Sequence, residues 1–228
     1  MLYSRLRVGG STTTKAQETQ QDPDTLRRLG GWLFRYRTSI PLPIALALLL
    51  IPARDPASPY TTSLFAAGVL VVAAGEGIRL WAVHHIGAIS RTRSDRLGPL
   101  IDTGPFGLIR NPLYVGNILL WLGFALSARL PWVAPIIVAL LAFEYHAIVR
   151  WEESLLASRM GDPYRDYMAR VPRWIPGFAS TRVHESYEMG ALRLFSWKET
   201  LYSERGTLMA IALGYTLLAI KKALGFGL

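Results

Sequence analysis

The 228 residues are 51% hydrophobic with a mean hydropathy of +0.25, yet 18% are charged and the formal net charge is +9. Apolar and charged residues are therefore segregated along the chain, which excludes a disordered polymer and argues against a water-soluble globule. The absence of Cys excludes disulfides, thiolate metal sites and cysteine nucleophiles, and four His residues leave little material for a protein-only metal site.

Residues 1–31 are polar, rich in Ser, Thr, Gln and Gly, and are read as a mobile tail without a secretory leader. The membrane domain then runs over 32–228. Its first apolar stretch, Ile40–Ile51, reaches bilayer length only if Trp32, Leu33, Phe34 and Tyr36 extend it. The second, Thr61–His84, is long enough by itself. The third and fourth, Pro112–Ala128 and Pro131–Arg150, are joined only by Arg129 and Leu130, which predicts a tight helical hairpin. The fifth is Gly206–Leu224. Ahead of it, Leu194, Trp197 and Leu201 fall at i, i+3 and i+7 within Ala191–Tyr202, the spacing of a helix lying in the membrane interface. The expectation is an all-α, multi-pass membrane protein with about five transmembrane helices.

The basic residues sort sharply. Twenty Lys and Arg fall in the N-terminal tail to Arg37, the loop 87–111 and the stretch 150–205, against four in the opposite connections. By the positive-inside rule the N-terminus and those loops are cytoplasmic. The charge is thus topological, and no motif supports a nucleic-acid partner.

Ionisable groups within spans need a reason. Glu76 and Arg79 stand at i, i+3 and can pair on one helix face. That pair either fixes helix packing or leaves Arg79 to meet an anionic ligand. His84 and His85 follow, without further metal ligands at suitable spacing. The fourth apolar run ends in Glu144, His146, Arg150, Trp151, Glu152 and Glu153. Adjacent helical residues point about 100° apart, so Glu152 and Glu153 cannot face the same point.

Two blocks carry more. One reads Thr103-Gly104-Pro105-Phe106, then Arg110-Asn111-Pro112-Leu113-Tyr114-Val115-Gly116. The other opens with Glu152-Glu153, continues through Gly161, Tyr164 and Tyr167, and closes on Val171-Pro172-Arg173-Trp174-Ile175-Pro176. Spanning 100–116 and 150–176 and separated by the hairpin, they resemble the signature blocks of the isoprenylcysteine carboxyl methyltransferase and phospholipid methyltransferase family of integral membrane enzymes. One departure is Asn111, where many members have His.

The resemblance implies methyl transfer from S-adenosylmethionine in a pocket on the cytoplasmic side, under a C-terminal cap segment. It implies cofactor binding by Thr103, Gly104, Arg110, Asn111, Pro112, Leu113, Tyr114, Glu152 and Glu153, with catalytic roles for Arg150 and Glu153. Arg79, Arg150 and Trp151 would meet the acceptor, and no metal is expected. The acceptor is lipidic and enters from the bilayer; membrane lipids are the expected partners, with no obligate protein partner. Carboxyl O-methylation of a prenylcysteine-like substrate is the leading expectation, with N-methylation of an aminophospholipid such as phosphatidylethanolamine as the alternative. A nicotinamide-dependent membrane reductase and a non-catalytic membrane protein are the competing classes.

Overall fold

A computed structural model describes residues 21–53, 60–87, 100–176 and 196–225. Among them the secondary structure is helical: α1 Gln21–Tyr36, α2 Leu42–Leu50, α3 Thr61–Ile86, the single turn α4 Pro105–Leu108, α5 Pro112–Ser127, α6 Ala134–Met160, α7 Asp162–Arg170 and α8 Trp197–Ala223. Helices α3, α6 and α8 are long and apolar enough to cross a membrane, and α5 is a shorter apolar helix. At about 1.5 Å per residue the three long helices exceed the roughly 30 Å of a hydrocarbon core, whereas α5 covers about 24 Å. Large apolar side chains such as Leu70, Leu140, Phe143, Met209 and Leu213 are exposed along them, as a lipid-facing surface requires. The chain is an all-α, multi-pass membrane protein.

Three expectations need correction. Residues 21–31 are not tail: they belong to α1, which packs Leu26, Leu29 and Leu33 against the main core. Those three residues and Gly30 follow an i, i+3, i+4, i+7 spacing that is present in the sequence. The first apolar stretch does not join Trp32–Tyr36 in one span, because residues 37–41 turn and α2 has only nine residues, about 14 Å. The interfacial helix is not separate either. From Trp197 it is the first part of α8, while 191–195 lie outside the described residues. Ser196 starts α8 through a capping box, accepting from the Glu199 N–H at 3.2 Å while its own N–H donates to the Glu199 carboxylate at 2.8 Å.

The tightest helix pair is α3 with α5, and glycine sets it. Gly68 and Gly75 on α3 lie against Gly123 and Gly116 on α5, so that a Cβ on Gly75 would stand 2.8 Å from the Gly116 carbonyl oxygen. A Cβ on Gly123 would stand 2.7 Å from the Gly68 carbonyl oxygen. The helices run antiparallel with their backbones in contact, the arrangement small residues permit in a membrane. The expected hairpin follows as α5 and α6, with Arg129 at φ 58° in the turn. On the outer flank of α6, Gly30 of α1 approaches until an added Cβ would lie 2.1 Å from the Ala147 carbonyl oxygen. At the opposite end of the bundle from the signature blocks, buried Lys221 donates to the carbonyls of Leu48 (2.8 Å) and Ile51 (2.6 Å). It thereby satisfies acceptors left over at the C-terminus of α2.

Candidate active site

The two signature blocks fold onto each other where α3 ends, α5 begins and α6 leaves the apolar region. The loop before α5 turns at Gly104, whose φ of 57° favours glycine. A Cβ there would also stand 2.3 Å from Nε2 of His85, so any other residue would push that ring aside as well as strain the backbone. The Phe106 N–H donates to the Thr103 carbonyl (3.2 Å), closing the turn into α4.

Arg110 then fastens the loop to the second block. Its backbone N–H donates to the Pro172 carbonyl (2.9 Å), and its guanidinium reaches the carbonyls of Met168 and Val171. Its Nε donates to Glu153 Oε1 at 2.9 Å. Arg173 approaches the same carboxylate from the other side, its terminal N–H donating to Oε2 at 2.6 Å. Asn111 extends the clasp by donating from its side chain to the Arg173 carbonyl at 3.4 Å. Glu153 is buried, and guanidinium donors engage both of its oxygens. Below this, Tyr164, Tyr167 and Val171 form a small core with Leu156 and Met160, and the Tyr167 hydroxyl donates to the Phe106 carbonyl at 2.8 Å. Burial pushes both phenols up from their ordinary value, so they remain protonated donors at neutral pH. Residues 162–171 are therefore a packed cap.

Glu152 points elsewhere, as the helical period requires. The Tyr114 hydroxyl donates to its Oε2 at 2.9 Å, and the Tyr114 ring lies 4.8 Å from that of Tyr145, centre to centre. Among the described residues no other side chain hydrogen-bonds this carboxylate. Pro112 is buried at the first turn of α5 with Leu113 half-buried beside it, and no side chain caps that turn. Trp151 packs under α1, its ring 4.9 Å from Phe34. Arg150 is half-buried and forms no ion pair among the described residues.

Arg79 lies in a second polar cluster, between α3, α5 and α8. Its guanidinium meets Glu204 at 2.6 Å and Glu76 at 3.5 Å, donates to Thr207 at 2.9 Å, and donates to the Asn117 side-chain oxygen. The Glu76–Arg79 pairing expected from spacing is present, with Glu204 as an added partner. His84 stacks on Trp197 with ring centres 4.4 Å apart, and His85 bonds the Trp81 carbonyl at 2.9 Å. Among the described residues no group of three His, Asp or Glu side chains is placed to hold a metal ion.

The structure thus gathers Thr103, Gly104, Arg110, Asn111, Tyr114, Glu152 and Glu153 at one end of the bundle, and divides them. Arg110, Asn111 and Glu153 form the clasp, while Tyr114 and Glu152 form a separate carboxylate site. Sequence reasoning missed Asn117, Tyr145, Arg173 and Glu204 as partners. Asn117 and Glu204, polar residues within or beside apolar helices, were the available signal.

Residues 63–162 match the phospholipid methyltransferase family. The matched segment holds α3, α5 and α6 with Arg79, Tyr114, Glu152 and Glu153. The chain is similar to the nickel-cobalt-cadmium resistance protein NccN of Alcaligenes xylosoxydans xylosoxydans, 29% identical over 72% of this chain and 71% of that protein. It is similar to the cobalt-zinc-cadmium resistance protein CzcN of Cupriavidus metallidurans, 30% identical over 52% of this chain and 50% of the relative. It is also similar to phosphatidyl-N-methylethanolamine N-methyltransferase of Saccharomyces cerevisiae, 33% identical over 40% of this chain and 45% of the yeast protein. The chain therefore spans about half the length of the last two. No solved structure matches. The match to this family, lying on the apolar helices α3, α5 and α6, supports a membrane methyltransferase.

Proposed function

We propose that the protein transfers a methyl group from S-adenosylmethionine to the amine of a phospholipid acceptor that reaches the site from the bilayer. The observation that carries this reading is the division of the two adjacent acids. Glu153 is consumed by Arg110 and Arg173, whereas Glu152 has one hydroxyl donor and keeps acceptor capacity for a cationic ligand. A carboxylate in that state fits the ammonium or ribose hydroxyls of the methyl donor. The uncapped first turn of α5 beside it offers backbone N–H groups to a polar edge.

When bound, S-adenosylmethionine supplies a methyl group already activated on a cationic sulfur. The protein's share is positioning and water exclusion, for which Tyr114, Tyr145 and Trp151 provide aromatic walls. An amine attacks only without its extra proton, so the acceptor must enter the water-excluded site as the neutral amine, its proton left to bulk water at the membrane surface. The family and the name of the yeast relative favour the amine acceptor over the prenylcysteine carboxylate. In this reading Glu153 positions the two blocks rather than serving as base, and Arg150 stands ready for an anionic part of the acceptor. The positive-inside excess supports a site on the cytoplasmic face, where the methyl donor is available.

The test is incubation of purified protein with labelled S-adenosylmethionine and a panel of phosphatidylethanolamine, its N-methyl derivative and prenylcysteine analogues. Label is expected in the aminophospholipids. Label confined to the prenylcysteine esters would overturn the amine assignment. Tight NADPH binding, with no binding of S-adenosylhomocysteine, would overturn methyl transfer itself.

A further inference from the structure

Helix α1 lies outside the segment the family covers, yet it reaches the carboxylate site. Gly30 and Gly31 bring it against α6, so that a Cβ on Gly31 would stand 3.0 Å from the Trp151 indole nitrogen. Phe34 then packs on Trp151, the residue immediately before Glu152. Just beyond the end of α1, three residues after Phe34, Arg37 lays its guanidinium 3.8 Å from the centre of the Phe34 ring. Two ring contacts thus bring the Arg37 guanidinium to the turn of α6 that carries Glu152.

Arg37 and Glu152 nonetheless do not form an ion pair. The aromatic face holds the guanidinium, and among the described residues no hydrogen bond or ion pair uses its N–H groups. A guanidinium held flat on a ring keeps its planar fork of donors, the geometry that matches a carboxylate or phosphate. On that same turn of α6 stands Glu152, a carboxylate with one protein donor among the described residues. The two charges lie around the same turn of α6 and are not joined, which suits a ligand carrying both signs.

We propose that Arg37 and Glu152 form a two-point site for a zwitterionic group, Glu152 taking an ammonium and Arg37 the anionic oxygens a few atoms away. This rests on the methyl-transfer reading above. Two participants in that reaction carry such a group: the amino-acid end of the methyl donor, and the ammonium and phosphodiester of an ethanolamine lipid.

The experiment uses the full chain in nanodiscs, as wild type, Arg37→Gln and Arg37→Lys. One arm measures binding of S-adenosylhomocysteine and of 5′-methylthioadenosine, which lacks the amino-acid end, by calorimetry. The other measures KM for phosphatidylethanolamine and for a long-chain primary amine without phosphate. The Gln variant is expected to weaken one of the anion-bearing compounds at least tenfold and leave its anion-free counterpart unchanged, with partial recovery in the Lys variant. The compound affected identifies the source of the anion. Unchanged affinity and KM for both anion-bearing compounds would overturn the inference, as would equal weakening of the anion-free ones. A wild type that neither binds S-adenosylhomocysteine nor methylates either lipid would overturn the methyl-transfer reading, and this inference with it.

Discussion

Arg79 and Glu153 each sit buried at the centre of an ionic cluster, with opposite stoichiometry. Around Arg79, two acids from α3 and α8 share one guanidinium. Around Glu153, two guanidinia from the two signature blocks share one carboxylate. The first cluster joins three helices inside the bundle, where a charge without a partner is most costly. The second joins two non-membrane segments at the edge, where Arg173 is still 30% exposed and water can soften an imbalance. The difference separates a charge cluster that holds the bundle together from one that holds a site in shape.

The sharpest way to break this comparison is Arg79→Met, which leaves Glu76 and Glu204 buried without their cation. We expect a loss of about 3–5 kcal/mol, read as reversible unfolding in detergent. Adding Glu76→Gln and Glu204→Gln should restore most of it. A single variant as stable as wild type would mean the cluster is not holding the helices.

Glu153→Gln should cost less, about 1.5–3 kcal/mol, because one of its two partners, Arg173, is partly hydrated. Faster proteolytic cleavage within 162–176 should accompany it. Glu152→Gln should leave stability nearly unchanged and weaken S-adenosylhomocysteine roughly 10- to 100-fold. Equal effects of the two substitutions on ligand binding, measured by calorimetry, would erase the distinction between clasp and site.

Gly116→Ala should cost about 1–3 kcal/mol through overpacking, since the added Cβ would meet Arg79 Cγ at 2.5 Å. Thermal unfolding reads it directly. Tyr114→Phe is the mildest, about 0.5–1.5 kcal/mol from the lost hydrogen bond to Glu152, and is best measured as a drop in ligand affinity.

The apolar runs that became α3, α5, α6 and the later part of α8 were legible because bilayer length and the scarcity of charge leave few alternatives. The separate facing of Glu152 and Glu153 was legible from helical period alone. Helix α1 was harder to see, since its polar face and Gly30-Gly31 hide an apolar stripe that matters only once α6 is beside it. The early start of α8 was written in Ser196 and Glu199 but masked by the polar turns that follow. Glu204 meets Arg79 across 125 residues, and no local pattern specifies such a partner. The same holds for Arg173, which finds Glu153 only after α7 has turned the chain back.

The glycine contacts between α3 and α5 bear on how a lipid could reach Glu152. Where backbones touch, no side chain can swing aside, and a separation of even a few tenths of an ångström forfeits contacts along the whole seam. These two helices therefore move as one body. In the proposed function a lipid would reach Glu152 along a seam packed through side chains, such as the α5–α6 boundary where Tyr114 and Tyr145 meet.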